Sequence, residues 1–201
     1  DMNAFYASCH QAANPALKSK PVMVAGDPKN RSGIILTASY EARKFGVKTG
    51  MPNWQARRLC PNGIFIKPNH ELYAAISEKV MQILGRFTPQ LEVFSIDEAW
   101  LDVTGCEKLF GDSMTIGKKI QASIADELDI TCSVGISCNK LLAKMASDMK
   151  KPAGLTVIHP EDVSNLLWPL PVKELFGVGR RMARRLERLN INTIGELANA
   201  P

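Results

Sequence analysis

The sequence predicts an α+β fold in which helices cover one face of a sheet, with a small α/β lobe near the beginning and an all-helical segment at the end. Two long stretches, residues 71–87 and 116–128, carry apolar side chains at every third or fourth position, which is typical of amphipathic helices. Short apolar runs bounded by glycine and proline indicate strands around these helices. From about Glu161 onward only helical patterns remain, so the last segment is expected to be helical throughout.

The first seventy residues contain the signals of the small lobe. Residues 1–8 read as the end of a strand that runs into a helix. Ser39 can cap a short helix that ends at Gly46, and Pro52 fits the first position of another. A turn is expected at Gly26-Asp27-Pro28. The three short strands of the lobe are expected at Pro21–Ala25, Ile34–Ala38 and Gly63–Ile66.

The second half continues with alternating strands and helices. The run Val93–Val103 predicts an antiparallel strand pair, and further strands are expected at residues 132–136 and 155–158 on either side of a helix at 141–149. Near the C-terminal end, a basic helix is expected to turn four apolar residues inward: Met182, Ala183, Leu186 and Leu189. All of these apolar stripes are interpreted as core.

Composition limits the class of protein. The 201-residue chain has a net charge of +5 and an isoelectric point near 9.0, a modest lean toward a polyanionic partner. No apolar run is long enough to span a membrane, and no signal peptide is visible. The five cysteines form no CxxC pair, which favours a reducing cytoplasm over a disulfide framework or a zinc site. The start at Asp1, inside a motif, suggests a trimmed fragment.

Two adjacent carboxylates, Asp97 and Glu98, interrupt an apolar, strand-like run. Burying two like charges side by side is costly, so either they lie at an exposed hairpin bend, or a buried cation or a divalent metal neutralises them. Together with Asp1 they could provide the protein's ligands for two magnesium ions about 3.5–4 Å apart. Spacing alone does not establish that Asp1 and Asp97 meet. Asp102, later in the same run, is interpreted as structural.

Two clusters of cations could bind phosphate groups. Arg43 and Lys44 follow a predicted cap at Ser39, and arginine and lysine both suit a triphosphate. Three lysines recur at near-helical spacing further along: Lys140, Lys144 and Lys151. For both clusters, a solvated helix face is the simpler alternative.

A third candidate phosphate site lies at Gly177-Val178-Gly179, directly before the basic helix. The free N–H groups at a helix start can bind phosphate without reading sequence. With the apolar residues that follow, the segment resembles a helix-hairpin-helix motif, the alternative being an ordinary helical hairpin. Asn190 stands where the second hairpin usually has glycine, and asparagine tolerates the same left-handed backbone. Thr193 and Glu196 have capping-box spacing.

These clusters, in this order, resemble the Y-family translesion DNA polymerases, and within them the DinB (DNA polymerase IV) branch. The resemblance implies a right-hand polymerase: a palm at residues 1–11 and 70–160, fingers at 12–69, and the first part of a thumb at 161–201. The helix-hairpin-helix would occupy about residues 173–198. The little-finger domain that the family carries after the thumb is absent from this chain.

The resemblance also assigns roles to individual residues. It implies that Asp97 and Glu98 are catalytic and bind two Mg²⁺ ions together with Asp1 and the Met2 carbonyl. It implies nucleotide contacts at Tyr40, Arg43 and Lys151, and DNA contacts at Gly177, Gly179, Arg180 and Arg184. Tyr6 would be the steric gate that excludes a ribose 2′-hydroxyl, with Phe5 in the core and Ser95 supporting the carboxylates. His10 and Asn3 depart from residues common in the family, and neither is expected to be a ligand.

The activity implied is error-prone, template-directed addition of deoxynucleotides to a primer 3′ end in DNA damage tolerance, in the cytoplasm. The implied partners are primer-template DNA, deoxynucleoside triphosphates and, through the missing C-terminal region, a sliding clamp. A nuclease or a nucleotide cyclase also suits paired carboxylates on such a sheet, although the helix-hairpin-helix argues against a cyclase. A catalytically inactive DNA-binding or scaffold protein with the same fold is the remaining alternative.

Overall fold

The computed structural model describes residues 1–26 and 33–200, and these form two compact units. The first is Asp1–Ser133 and the second is Val134–Pro201. This division by contacts differs from the partition into palm, fingers and thumb, which stays a prediction. Of the turn expected at Gly26-Asp27-Pro28, only Gly26 belongs to the described residues.

The small α/β lobe of the first unit is built on a three-stranded sheet in the order β2-β1-β3. The central strand pairs antiparallel with β2 and parallel with β3, and all four of its side chains are buried. Ser39 caps α2 by accepting a hydrogen bond from the Ala42 N–H, as expected, and Pro52 directly precedes α3. The elements are α1 (Phe5–Ala13), β1 (Val22–Ala25), β2 (Ile35–Ala38), α2 (Tyr40–Arg43), α3 (Asn53–Leu59) and β3 (Ile64–Ile66).

The rest of the first unit contains two long helices and a strand hairpin. The predicted first long helix ends at Leu84, three residues early. After it, the Arg86 and Phe87 N–H groups donate to carbonyls three residues back, at Ile83 and Leu84, and form a tighter turn. The strands β4 and β5 pair antiparallel, as the apolar run predicts. The elements are α4 (His70–Leu84), β4 (Leu91–Val93), β5 (Ala99–Leu101), α5 (Glu107–Phe110) and α6 (Ser113–Leu128).

The second unit begins with a parallel pair of strands and becomes helical after residue 158. Gly135 of its first strand is packed so closely on the next helix that a Cβ there would lie 2.0 Å from the Ala143 carbonyl oxygen. Asn190 has φ +60°, the left-handed backbone predicted for it, and Thr193 and Glu196 form the predicted capping box. The elements are β6 (Val134–Ile136), α7 (Lys140–Met149), β7 (Leu155–Val157), α8 (Val163–Leu166), α9 (Arg180–Arg188) and α10 (Ile194–Ala198).

The inward face predicted for the basic helix α9 is only half correct. Ala183 is buried and Leu186 is half-buried, but Met182 is 46% exposed and Leu189 is 69% exposed. The helix buries a narrow stripe, and Met182 lies toward its edge while Leu189 follows the last helical residue. Apolar periodicity therefore identified the buried side of α9 but overestimated its width.

The overall class is α+β, as predicted. Within residues 1–26 and 33–200, no helix combines the length and the apolar character that crossing a membrane requires.

Candidate active site

The first three residues form backbone hydrogen bonds to two other segments of the first unit, one at Asp97 and one at residues 131–133. The Met2 N–H donates to the Asp97 carbonyl at 2.9 Å, and the Asn3 N–H donates to the Thr131 carbonyl at 2.8 Å. The Ser133 N–H in turn donates to the Asp1 carbonyl at 2.9 Å. The backbone that carries Asp1 is thus joined directly to the backbone that carries Asp97, a meeting that sequence spacing alone left open.

Asp97 and Glu98 lie in the bend that joins β4 to β5. The Phe94 and Ser95 N–H groups both donate to the Glu98 carbonyl, at 3.0 and 3.1 Å, and close the bend. Both acidic residues are half-buried rather than fully exposed. The local geometry is therefore the hairpin bend that was one of the alternatives, but it does not place the carboxylates wholly in solvent.

A single hydroxyl links the two carboxylates. Ser95 Oγ donates to Asp97 Oδ1 at 2.8 Å and lies 3.4 Å from Glu98 Oε2. Asp97 and Glu98 thus share one hydroxyl donor. This contact is consistent with the prediction that Ser95 helps to hold the two carboxylates.

The donor set suits magnesium better than a transition metal. Asp1, Asp97 and Glu98 supply carboxylate oxygens and Met2 a carbonyl, the hard ligands that Mg²⁺ prefers. In the described part of the chain, no group of three or more His, Cys, Asp or Glu side chains is arranged to hold a metal ion. Asp1, Asp97 and Glu98 therefore do not form such a group in this structure. The roles of these four residues stay predictions.

Three neighbouring groups are poor ligand candidates. Asn3 is 1% exposed, and its side-chain amide donates to Ser133 Oγ at 2.9 Å and accepts from Thr131 Oγ1 at 3.1 Å. Burial raises the pKa of Cys9 to about 12 and that of Cys132 to about 11, so both thiols stay protonated. The buried oxygen and sulfur atoms around the bend thus have structural rather than metal-binding chemistry.

Tyr6, the predicted steric gate, is one member of an aromatic cluster. Its ring stacks on Tyr73 with centroids 4.2 Å apart and planes 13° apart, while His70 contacts both rings edge-on. Phe5 is buried, as predicted for a core residue. Sequence analysis counted Tyr73 only as one member of the apolar stripe of α4. Its separation of 67 positions from Tyr6 left no local signal of the stack.

Tyr40 and Arg43, two of the predicted nucleotide contacts, lie on α2 beside each other. The Arg43 guanidinium carbon is 4.8 Å from the centroid of the Tyr40 ring, and Arg43 Nε donates to the Ala38 carbonyl at 3.0 Å. The Tyr40 hydroxyl is buried, and no hydrogen-bond partner for it occurs among residues 1–26 and 33–200. A buried hydroxyl without a partner is costly, and the role of Tyr40 as a nucleotide contact stays a prediction.

The third predicted nucleotide contact, Lys151, belongs to the second unit. Its Nζ lies 2.8 Å from Asp148 Oδ1, and Lys144 Nζ lies 3.2 Å from Asp148 Oδ2. Burial favours a raised pKa for Asp148, but the hydrogen bonds and charges of the two lysines outweigh it and lower the pKa. Lys151 is thus paired within its own unit, and its role as a nucleotide contact stays a prediction.

The predicted DNA contacts lie at the start of α9. Gly177 has φ +90°, which glycine adopts without strain, whereas Gly179 is the N-cap with φ −75° and ψ 169°. A Cβ added at Gly179 would meet no described atom within 4 Å, so neither backbone angle nor packing requires glycine there. Arg180 and Arg184, one turn apart, are exposed. An open helix start with adjacent cations suits a phosphate backbone, and the DNA contacts of these four residues stay a prediction.

Asp102, interpreted as structural, has a local hydrogen-bond partner. Its Oδ1 accepts from the Thr104 N–H at 2.9 Å, and its carbonyl accepts from Thr88 Oγ1 at 2.6 Å. Hydrogen bonding by Thr104 lowers the pKa of this exposed carboxyl. The side chain thus stabilises the turn that follows β5.

Comparison with known families identifies two matching segments. The impB/mucB/samB family matches residues 1–148, and the IMS family HHH motif matches residues 160–191. The second match supports the helix-hairpin-helix interpretation of the segment around Gly177 and α9.

Individual relatives agree. The chain is 56% identical over 201 residues to a protein named DNA polymerase IV from Pelotomaculum thermopropionicum, covering all of this chain and 50% of the relative. It is 56% identical over 199 residues to a DNA polymerase IV from Clostridium kluyveri, covering 99% of this chain and 50% of the relative. The chain therefore spans about half the length of the curated relatives it matches.

Solved structures give the same result. The chain matches a crystal structure of DinB from Sulfolobus solfataricus with a TM-score of 0.86 and 38% identity. It matches an insertion ternary complex of Dbh DNA polymerase with a TM-score of 0.89 and 37% identity. Both matches cover all of this chain and 59% of the solved chain.

Proposed function

The chain belongs to the impB/mucB/samB family, and from this premise we propose that it carries the catalytic centre of a template-directed, translesion DNA polymerase. The observation that carries the proposal is the backbone hydrogen bond from Met2 to Asp97, which brings the segment that begins at Asp1 to the Asp97-Glu98 bend. Three carboxylates on two adjoining backbone segments would suffice as the protein's share of a two-metal site for phosphoryl transfer. Relatives named DNA polymerase IV support the same reaction.

Asp1, Asp97, Glu98 and the Met2 carbonyl would hold two Mg²⁺ ions. When bound, magnesium supplies Lewis-acid stabilisation of the phosphoryl oxygens and lowers the pKa of the attacking primer hydroxyl. The chain's own part is to hold the carboxylates in place. Ser95 does this by donating a hydrogen bond to Asp97, and the Glu98 carbonyl does it by accepting the two N–H groups that close the bend.

Tyr40 and Arg43 would bind the triphosphate of the incoming deoxynucleotide. The buried Tyr40 hydroxyl can donate to a phosphate oxygen, and the cation of Arg43 adds charge next to it. Tyr6 would act as the steric gate. Its ring stacks on Tyr73 and so could not move aside to accommodate a ribose 2′-hydroxyl. The reaction joins the primer 3′-oxygen to the α-phosphorus and releases pyrophosphate, largely through positioning and electrostatic stabilisation.

The second unit would contribute contacts to the DNA backbone. The open N-terminus of α9 at Gly179, with Arg180 and Arg184 on successive turns, would contact phosphate groups without reading sequence. Binding of this kind positions the duplex without sequence preference. The palm, fingers and thumb boundaries, a sliding clamp as partner and a cytoplasmic location remain parts of the proposal.

Primer extension tests the function directly. The 201-residue chain, and any longer protein that contains it, is incubated with a primer-template, the four deoxynucleoside triphosphates and Mg²⁺. Extension that copies the template supports the proposal. Strand cleavage, a cyclic nucleotide product, or DNA binding without extension by the longest form of the protein would refute it.

A further inference from the structure

His10 lies on the same helix as the proposed gate, Tyr6. It follows Tyr6 by one turn of α1, and its Nε2 lies 2.8 Å from the hydroxyl oxygen of Tyr73 on α4. The imidazole also meets the Tyr73 ring edge-on, with centroids 5.6 Å apart and planes 86° apart. His10 and Tyr73 are thus joined both by a hydrogen bond and by an edge-on ring contact.

Tyr73 is the platform on which Tyr6 rests. Its side chain is 0% exposed, and its ring stacks on Tyr6 almost in parallel. An aromatic stack fixes the distance between two rings but allows them to slide over each other. The hydroxyl bond to His10 restrains that sliding, because it holds the far end of the Tyr73 ring.

We propose that His10 is a positioning residue for sugar selection, which holds the hydroxyl of Tyr73 and thereby fixes the ring on which Tyr6 stacks. The inference rests on the proposed function, specifically on Tyr6 as the steric gate. His10 touches neither substrate nor metal in this account. It acts through Tyr73 alone.

The protonation states suit the bond. Burial lowers the pKa of His10, and burial also raises the pKa of Tyr73. At neutral pH both groups are therefore uncharged, and the tyrosine O–H can donate to an unprotonated Nε2. A neutral pair of this kind needs no counter-charge in the cluster.

The test compares deoxynucleotide and ribonucleotide insertion by His10→Ala, Tyr73→Phe and the double variant. Each single variant is expected to reduce the selectivity for deoxynucleotides about fivefold, the factor that one typical hydrogen bond contributes to an equilibrium. The loss should come from a gain in kcat/KM for ribonucleotides. The double variant should lose no more than either single variant, because both remove the same bond.

Two controls separate positioning from stability. His10→Gln keeps a polar group at the site and should restore much of the selectivity. Gln11→Ala removes hydrogen bonds to the Leu17 and Lys20 carbonyls and to Glu41 from the same helix without touching Tyr73, so its selectivity should equal that of the wild type. Thermal unfolding of every variant monitors the fold, and Tyr73→Phe decides the question if His10→Ala unfolds.

The proposal is overturned if the single variants keep wild-type selectivity, if their effects add in the double variant, or if both kcat/KM values fall together. Failure of the wild type to extend a primer would overturn the proposed function as well. If the wild type extends but Tyr6→Ala gains no ribonucleotide use, the gate assignment is wrong, and this inference falls with it while the polymerase function stands.

Discussion

Replacing Asp97 by asparagine should affect activity and stability in opposite directions. Ser95 Oγ contacts both carboxylates, so Asp97 Oδ1 and Glu98 Oε2 lie no more than about 6 Å apart. Two unit charges at that separation repel by about 0.7 to 3 kcal/mol for effective dielectric constants between 80 and 20. The asparagine oxygen can still accept the Ser95 hydrogen bond. Without divalent ions, the variant should therefore unfold with a free energy equal to the wild type or up to about 2 kcal/mol higher.

The same change removes a ligand that both magnesium ions would share. Loss of several kcal/mol of transition-state stabilisation corresponds to at least about a thousandfold slower primer extension. Primer extension measures the effect on activity. Urea denaturation in EDTA and in Mg²⁺ measures how much the ions stabilise the fold. Magnesium at a hundred times its dissociation constant should stabilise the wild type by about 2.7 kcal/mol and the variant by much less.

Asp102→Asn is the matched control. It also replaces an aspartate by asparagine in the same run of sequence, but the carboxylate that it removes accepts a hydrogen bond from the nearby Thr104 N–H. It should keep both extension and the magnesium-dependent gain in stability. Retained extension by Asp97→Asn would remove Asp97 from the metal site, and a loss of several kcal/mol in EDTA would show that its carboxylate is structural.

Three further predictions concern other parts of the chain. Tyr6→Ala should insert ribonucleotides into a primer strand, and unchanged sugar discrimination in single-nucleotide insertion would refute the gate. Replacing Arg180 and Arg184 by alanine should weaken DNA binding for all sequences and reduce the slope of log K against log salt by up to about 2; a sequence-selective loss in a fluorescence titration would contradict backbone binding. Asn190→Gly should keep the urea midpoint while Asn190→Ala costs about 1 kcal/mol, because φ is +60°; equal midpoints would mean that the backbone relaxes.

The features that sequence analysis predicted correctly are mostly local. The Ser39 cap and the Thr193–Glu196 capping box each involve a side chain and a backbone N–H three residues away, so the signal lies within one turn of the chain. The left-handed backbone of Asn190 likewise follows from the residue type and its place after a helix. Such interactions need no knowledge of what packs against them.

Features that depend on distant residues were predicted poorly or not at all. Met182 and Leu189 have the periodicity of a buried face, but the width of that face depends on the element packed against α9. The Tyr6–Tyr73 stack and the His10–Tyr73 hydrogen bond join helices more than sixty positions apart. The meeting of Asp1 with Asp97 was implied by the family resemblance, and residue spacing did not establish it.

The two interpretations of Asp97 and Glu98, a hairpin bend and a metal site, are compatible, and the physics of charge explains why. A carboxylate deep in the core would protonate rather than bind a cation, and one in free solvent would hold an ion only weakly. A bend at the end of a strand pair keeps both groups half-buried, while the Met2 hydrogen bond brings the segment that begins at Asp1 beside them. The fully buried position nearby is Asn3, whose neutral amide is satisfied by Ser133 and Thr131. Asp97 and Glu98 thus stand at half-buried positions, where the proposed ions could reach them.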